Sequence, residues 1–172
     1  VAAARANTVT PRAELIRVAS PFAALYLYEA FEKIGMADEI LKTIYRDYLP
    51  MLRLGSTTVW ETFPAALNTG EFPTRSHCHG WSAAPLYFLP RLVLGILPAA
   101  PGAMKFRISP RITGLEFASG VRPTIHGRVE AGWERKGNEL FITARAPAGV
   151  ELEYLENDTH TDLQVYFNGK PV

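Results

Sequence analysis

The sequence has little of what marks a membrane protein, a disulfide-stabilised protein or a nucleic-acid-binding protein. Its one cysteine, Cys78, cannot form a disulfide within the chain. With 18 basic and 17 acidic residues the net charge is +1, so no field attracts nucleic acid or an acidic membrane. The longest apolar stretch, residues 86–97, is interrupted by Pro90, Arg91 and Gly95 and is too short to span a membrane. We therefore expect a protein stabilised by packing, with no nucleic-acid partner and no membrane span.

The chain begins at Val1 and shows no basic segment followed by an apolar one, so we expect no leader within these residues. A start without methionine is compatible with a fragment or a processed product, and the cellular compartment stays open. Hydrophobic residues make up 48% and charged residues 20% of the chain, which is ordinary for a globular protein. A length of 172 residues predicts one core plus a smaller module.

The first part of the chain has apolar residues at helical spacing. An N-cap at Ser20 and a proline after it predict a helix over residues 21–34. A second helix is predicted over residues 40–52, with Pro50 expected to kink or end it. The third runs from residue 81 or 82 to residue 94. Three helices cannot enclose a core alone, so we expect them to be part of a larger structure.

Beyond Pro98 the apolar period changes from helical to two, which is typical of strands. Several short strands with no helix between them favour an antiparallel sandwich or a jelly-roll-like module. We therefore predict an α+β chain with a helical part at residues 1–97 and a strand module at residues 98–172. The predicted strands are residues 105–108, 115–117, 124–133, 139–145, 150–155 and 163–167.

Two polar segments lie between the second and third predicted helices. Residues 55–61 read Gly-Ser-Thr-Thr-Val-Trp-Glu, and residues 76–81 read Ser-His-Cys-His-Gly-Trp. A carboxylate beside an indole, with imidazoles a short loop away, supplies a base, a flat apolar wall and groups that bind hydroxyls. Those are the groups that a sugar-cleaving site needs. The candidate site residues are Glu61, Trp60, His77, His79 and Trp81.

Each candidate also has a simpler structural explanation. Glu61 could be a loop carboxylate or a helix cap, and a packing role is favoured for Trp60. For Trp81 the choice between packing and lining a cleft stays open. His77 and His79 do not have the spacing of a zinc site, so we expect no metal and no cofactor, with loop imidazoles that bind sugar hydroxyls instead. Cys78 is expected to pack inward.

Taken in order, these motifs resemble the C-terminal end of bacterial α-L-rhamnosidases of glycoside hydrolase family 78. Two further segments carry the resemblance, Leu-Gly-Ile at residues 94–96, which closes a helix, and Phe-Arg-Ile-Ser-Pro at residues 106–110, which opens the strand module. The resemblance covers nearly the whole chain. It implies the last helices of an (α/α)6 six-hairpin barrel followed by a C-terminal β-sandwich, in agreement with the change of period.

The same resemblance implies an inverting hydrolase acting on a rhamnosylated glycoside or oligosaccharide. In such enzymes one carboxylic acid protonates the departing oxygen and a second carboxylate activates a water, the two lying about 6.5 to 9.5 Å apart. Glu61 matches the family's general base. His79 matches a sugar-binding histidine of the family better than His77 does.

No residue before Glu61 matches the family's general acid, since the acidic residues there are expected on helix surfaces. The resemblance thus implies a C-terminal fragment whose acid lies in the rest of the barrel, either in a parent protein or in a companion chain. The isolated chain is expected to be inactive. The acidic residues in question are Glu14, Glu29, Glu32, Asp38, Glu39 and Asp47.

Two other functions remain open. One is a non-catalytic carbohydrate-binding or structural module. The other is a related six-hairpin hydrolase of different sugar specificity, suggested by the short loop at residues 62–75 and by the pairing of Cys78 with His79. In the strand region, Trp133 is expected in the core, while His126 and His160 are expected at the surface or at a sheet edge. The pair Tyr26 and Tyr28 is expected to flank its helix.

Overall fold

The structure is a computed structural model that describes residues 18, 20–64, 74–112 and 114–172. Glu14 and most of the loop expected at residues 62–75 lie outside the described residues. The chain divides into two compact units, the first ending at Leu86 and the second beginning at Tyr87. The expected division at residues 97 and 98 stays a prediction. Among the described residues, no helix is both long enough and apolar enough to cross a membrane.

Helix α1 spans Pro21–Lys33, close to the predicted range. It begins where expected because the Ser20 side chain accepts a hydrogen bond from the backbone N–H of Phe22, and Pro21 occupies the first helical position. Ala24, Tyr28 and Phe31 are buried. The expectation that Tyr28 flanks the helix is therefore wrong, whereas Tyr26 is exposed.

Helix α2 spans Ala37–Arg53 and begins earlier than predicted. Pro50 lies inside its last turn and does not end it. Asp47 is 3% exposed and Glu39 is also buried, so the expectation that both lie on the helix surface is wrong. Arg46 donates a 2.8 Å hydrogen bond to the Asp47 carboxylate, and such pairing lowers the cost of burying a charge.

The third helix, α3, is shorter than predicted and spans Ala84–Leu92. A single 3-10 turn, Gly80–Ser82, precedes it and carries Trp81. The chain then passes through Gly95, at φ +67°, directly into a strand that the period analysis did not predict. The helical segment that was expected to continue to residue 94 thus ends two residues earlier.

The strands form two sheets that share one core. They are β1 Ile96–Pro98, β2 Lys105–Ile108, β3 Phe117–Thr124, β4 Gly127–Lys136, β5 Glu139–Arg145, β6 Glu151–Tyr154, β7 Gln164–Phe167 and β8 Lys170–Pro171. The described residues form a three-stranded sheet in the order β1-β2-β6 and a five-stranded sheet in the order β3-β4-β5-β7-β8. Most neighbours are antiparallel, as predicted, but each sheet contains one parallel pair, β2 with β6 and β5 with β7.

Strands β2 and β5 have the predicted bounds, whereas the hairpin of β3 and β4 was not predicted. The expected strand 124–133 is interrupted by a turn at residues 125 and 126, and β4 begins only at Gly127. Strand β3 contains Gly120 and Pro123, residues that disfavour a strand in sequence-based prediction. Pro123 is tolerated because β3 lies at the edge of its sheet.

Both sheets contribute to the buried core of the second unit. Ile96, Phe106 and Ile108 come from the three-stranded sheet and lie in one cluster with residues of the five-stranded sheet. Trp133 is buried there, as predicted, and its indole N–H donates a 2.7 Å hydrogen bond to the carbonyl of Val93. The five-stranded sheet supplies Val129, Ala131, Trp133, Leu140, Ile142, Ala144 and Val165.

His160 contradicts the expectation that it is a surface or edge residue. It is 1% exposed, and its Nε2 lies 2.6 Å from the carbonyl oxygen of Pro110 while its Nδ1 lies 2.9 Å from the hydroxyl of Tyr154. Asn157, nearby in sequence, donates to the same carbonyl at 3.0 Å. These bonds fasten the segment between β6 and β7 to the residues that follow β2. His126 is exposed, as expected.

Candidate active site

The structure brings the two polar segments together through backbone hydrogen bonds. The N–H of Glu61 donates to the carbonyl of Ser76 at 3.0 Å, and the N–H of His79 donates to the carbonyl of Val59 at 2.9 Å. The segments therefore run side by side in opposite directions. The carboxylate and the imidazoles, separated by a loop in sequence, share one small region of the first unit.

Threonine side chains add to this pairing. Thr74 is buried, and its hydroxyl accepts a 3.2 Å hydrogen bond from the N–H of Thr62 while donating to the carbonyl of Ser76 at 3.2 Å. At the other end, the hydroxyl of Thr58 donates to the carbonyl of His77. The backbone next to Glu61 is therefore held from both sides, which limits the positions that its carboxylate can take.

Trp60 has the packing role that was favoured for it. Its side chain is 5% exposed, and its ring lies edge-on to the imidazole of His77 with 4.8 Å between the centroids. His77 itself is exposed. The indole thus supports His77 from below the surface and presents little of its own area to a ligand.

Trp81 is the exposed aromatic of the site. It is 57% exposed, and the imidazole of His79 stacks on it with 4.7 Å between centroids and 18° between ring planes. The ring of Phe22, at the start of α1, packs against the Trp81 ring with 4.9 Å between the two centroids. The Nε2 atom of His79 is buried and has no hydrogen-bond partner in the described part of the chain. The stack fixes the ring plane of His79 and leaves one ring nitrogen available for a polar group.

Glu61 is half-buried. Within residues 20–64 and 74–112, its carboxylate makes no ion pair, and the bond that places it comes from its own backbone. A carboxylate held in this way is available to accept a proton or a hydrogen bond from a bound molecule.

Cys78 is exposed, so the expectation that it packs inward is wrong. The hydroxyl of Ser76 accepts from the N–H of Cys78 at 3.3 Å and donates to its carbonyl at 3.1 Å. This local turn directs the residue outward. In the described residues, His, Cys, Asp and Glu side chains form no group of three or more that could hold a metal ion.

Two supporting residues were not identified from the sequence. The hydroxyl of Tyr48 in α2 donates a 2.9 Å hydrogen bond to the carbonyl of Ser82, and its ring packs edge-on against Phe63. Burial raises the pKa of Tyr48, so the phenol stays a neutral donor. The second supporting residue is Phe22, which packs against Trp81. Its position directly after the capped start of α1 was the one sequence signal that could have indicated this role.

Comparison with known proteins relates both units to one family. Residues 10–93 match the bacterial α-L-rhamnosidase six-hairpin glycosidase domain, and residues 95–166 match the bacterial α-L-rhamnosidase C-terminal domain. A curated α-L-rhamnosidase of Alteromonas sp. (strain LOR) is 25% identical over 138 residues, which is 75% of this chain and 15% of that protein.

Two solved structures are similar as well. The crystal structure of a GH78 family rhamnosidase of Bacillus sp. GL1 has a TM-score of 0.81 and 32% identity, over 94% of this chain and 17% of that one. The structure of an α-L-rhamnosidase from Dictyoglumus thermophilum has a TM-score of 0.64 and 24% identity, over 78% of this chain and 15% of that one, and supports the fold alone. The chain thus spans about a sixth of the length of the relatives that it matches.

Proposed function

Because this chain belongs to the bacterial α-L-rhamnosidase family, as the C-terminal portion of the six-hairpin domain followed by the C-terminal domain, we propose that it forms part of an inverting glycoside hydrolase that releases terminal α-L-rhamnose. The observation that carries the proposal is the pairing of the Glu61 backbone with the segment that holds His77 and His79. This pairing places a carboxylate, two imidazoles and an exposed indole in one region, on the two motifs that match the family.

In the proposed reaction Glu61 is the general base. A water oxygen attacks the anomeric carbon from the face opposite the leaving group while Glu61 accepts the proton of that water. A carboxylic acid on the other side donates its proton to the glycosidic oxygen as the bond from that oxygen to the anomeric carbon breaks. The configuration of the anomeric carbon is thereby inverted, and both carboxyl groups return to their initial states by proton exchange with solvent.

Three of the remaining site residues, His79, Trp81 and His77, bind the sugar in this proposal. His79 is suited to a hydroxyl because its buried Nε2 makes no hydrogen bond to the described residues, and stacking on Trp81 restricts its ring orientation. The exposed area of Trp81 offers an apolar surface to the C–H groups of the sugar. His77 is exposed and can contact substrate, whereas Trp60 acts through His77, which it supports.

We further propose that the general acid comes from the part of the barrel not contained in these 172 residues. The chain covers 15% of the Alteromonas relative and 17% of the Bacillus one, so the barrel has ample sequence elsewhere. The division into a barrel part, residues 1–97, and a sandwich part, residues 98–172, belongs to the same proposal. The missing portion is either the rest of a parent protein or a companion chain.

The first prediction concerns Glu61 in a protein that contains the complete barrel. Glu61→Gln removes the base but keeps the size and hydrogen-bonding atoms of the side chain. We expect kcat for an aryl α-L-rhamnoside to fall by about 10² to 10⁴-fold, with little change in KM, because substrate binding does not require the negative charge. The control is Glu29→Gln, since Glu29 is an exposed carboxylate on α1.

The stereochemistry of the product gives an independent check. Proton NMR of the first product released should show the β-anomer of rhamnose, which then mutarotates. Near-normal turnover by the Glu61→Gln variant would rule out the base assignment, and an initial α-anomer would rule out inversion.

A further inference from the structure

The outer face of the five-stranded sheet carries a row of small residues. In the register of β3, β4 and β5, Ser119 lies opposite Gly132, and Gly132 lies opposite Thr143. Their sequence neighbours Ala131 and Ala144 belong to the core, so this row faces away from it. The row crosses three strands at a right angle to their direction and forms a floor without large side chains.

Larger side chains lie on one side of this floor. Phe117 lies opposite Glu134, and Glu134 lies opposite Phe141. Phe117 is 71% exposed, and the ring of Phe141 stacks on Tyr166 of β7 with 5.0 Å between centroids and 9° between ring planes. The Lys136 ammonium also lies over the Phe141 ring, 5.7 Å from its centroid. The first wall therefore has an exposed ring, Phe117, at one end of a carboxylate and a half-buried ring that already contacts Tyr166 and Lys136 at the other.

A second wall lies two residues away along each strand. Here Val121 lies opposite Glu130, and Glu130 lies opposite Arg145. All three side chains are exposed. The floor and the second wall line a depression of about 490 Å³, and the floor and the first wall line a neighbouring one of about 410 Å³. The two depressions share the floor residues and together form a transverse groove, each within the size range of small-molecule sites.

The depth of the groove depends on Gly132. A Cβ atom at this position would lie 3.3 Å from the Cβ of Ser119. A side chain on residue 132 would therefore occupy the space above the floor. The floor has a hydroxyl group at each end, on Ser119 and Thr143, and the Thr143 hydroxyl donates a 3.4 Å hydrogen bond to the Gly132 carbonyl. A larger residue in place of Gly132 would close the groove at its middle.

We propose that this groove binds a neutral oligosaccharide. The exposed ring of Phe117 suits the apolar C–H face of a sugar ring, with the half-buried Phe141 ring beside it, and the floor hydroxyls and wall carboxylates suit the sugar hydroxyl groups. The charges are balanced, because Glu134 pairs with Lys136 at 2.9 Å and Glu130 faces Arg145. A charged ligand would gain nothing from such a surface.

Other occupants fit this face less well. A stable protein interface needs about 800 Å² per partner with an apolar centre, whereas the centre of this groove holds hydroxyls and backbone. An added peptide strand would pair with a free sheet edge, and this groove crosses the middle of the sheet instead. Sugar binding here would be non-catalytic and does not depend on Glu61.

The test is a titration of the ¹⁵N-labelled 172-residue chain, followed by NMR. The probes are cellotetraose and a disaccharide of α-L-rhamnose with glucose. We expect saturable shifts of the amides of Ser119, Gly132 and Thr143. Removing both rings in a Phe117→Ala/Phe141→Ala variant should weaken binding at least about tenfold, as the loss of two ring contacts predicts.

Two variants and one control keep this test decisive. Gly132→Thr retains both rings but fills the floor, and it should abolish binding even if the double variant folds poorly. Ile125→Ala, an exposed apolar residue in the turn before β4, should bind as the wild type does. The Glu61→Gln variant should also bind normally, so a failure of the proposed catalytic function leaves this result unaffected.

Several outcomes would overturn the proposal. One is the absence of saturable shifts with both probes at millimolar concentration. Another is a set of shifts confined to the segments around Glu61. Shifts in the groove that follow protein concentration rather than sugar concentration would identify a second copy of the chain as the occupant instead.

Discussion

At the scale of single residues, partners decide the role of a side chain more than its position in the sequence does. His79 and His160 are both imidazoles, but His79 has a ring nitrogen with no partner among the described residues, whereas both nitrogens of His160 are engaged. The first is therefore suited to binding a ligand, and the second to holding the fold together.

The surroundings of His160 determine its protonation state. Its Nε2–H donates to the carbonyl of Pro110, so its Nδ1 accepts from the hydroxyl of Tyr154, as a neutral imidazole requires. Burial lowers the pKa of His160, and Arg111 lowers it further, against the opposing effects of the Pro110 carbonyl, Glu156 and Asp158. Burial likewise raises the pKa of Tyr154 to about 12, so the phenol stays protonated.

The second prediction follows from this lowered pKa. In the unfolded chain His160 titrates near its usual value of about 6.5, whereas the folded state resists protonation. The contribution of the neutral imidazole to the free energy of unfolding is thus fully present above about pH 6.5. It is lost as the pH falls from there through the folded-state pKa. The hydrogen bond from Arg111 lowers the pKa of Asp158, so the stability that this carboxylate contributes is lost only at more acidic pH.

Chemical denaturation at about pH 7.5 and about pH 5.0, on either side of the usual imidazole pKa, measures this effect. We expect wild-type stability to fall between these values and His160→Ala to lose roughly 2 to 4 kcal/mol at the higher pH. His160→Gln keeps a donor toward Pro110 but does not titrate, so its stability should change less over the same range. An equal pH dependence in the Gln variant would contradict this explanation.

At the scale of elements, the connection between α3 and β1 depends on one glycine. Gly95 has a φ of +67°, and a Cβ atom there would lie 2.1 Å from the backbone nitrogen of Pro110. The backbone after β2 therefore passes where a side chain would be. The N–H of Ser109 donates to the Gly95 carbonyl at 2.9 Å, which closes the contact.

The third prediction compares two glycines that share a positive φ. Gly137 has a φ of +60°, but a Cβ atom there would have no heavy atom within 4 Å, so Gly137→Ala should cost about 1 kcal/mol through strain alone. Gly95→Ala adds a clash with backbone and should cost roughly 3 to 5 kcal/mol. Urea denaturation of both variants measures the difference, and equal costs would show that the close approach is unimportant.

At the scale of the whole molecule, the helical unit exposes apolar side chains on α2. Tyr45 is 68% and Leu52 is 66% exposed, and their spacing of seven residues places them on one face of the helix. Exposed apolar faces of this kind favour association. They fit the proposal that the helices belong to a larger barrel.

The fourth prediction concerns the native mass. Analytical ultracentrifugation should show species larger than the 19.0 kDa monomer, through self-association or with a companion chain. Tyr45→Lys/Leu52→Lys should shift the distribution toward the monomer, because it places charges on that face. The control is Ile125→Lys, which changes an exposed residue of the strand unit. A purely monomeric wild type would argue against a companion chain.

The sequence alone determined the features that depend on local chemistry. The Ser20 cap, the helical apolar spacing and the period of two around Trp133 encode their elements directly, since caps and periodicity act within a few residues. The order of the motifs around Glu61 and His79 was likewise sufficient to indicate the family.

Only the tertiary structure decided which residues meet across distant parts of the chain. The burial of Asp47 and His160 and the hairpin that contains Pro123 depend on parts of the chain remote in sequence or on edge position. The row of Ser119, Gly132 and Thr143 exists only through strand register. Register and burial arise from long-range packing, which local sequence patterns do not encode.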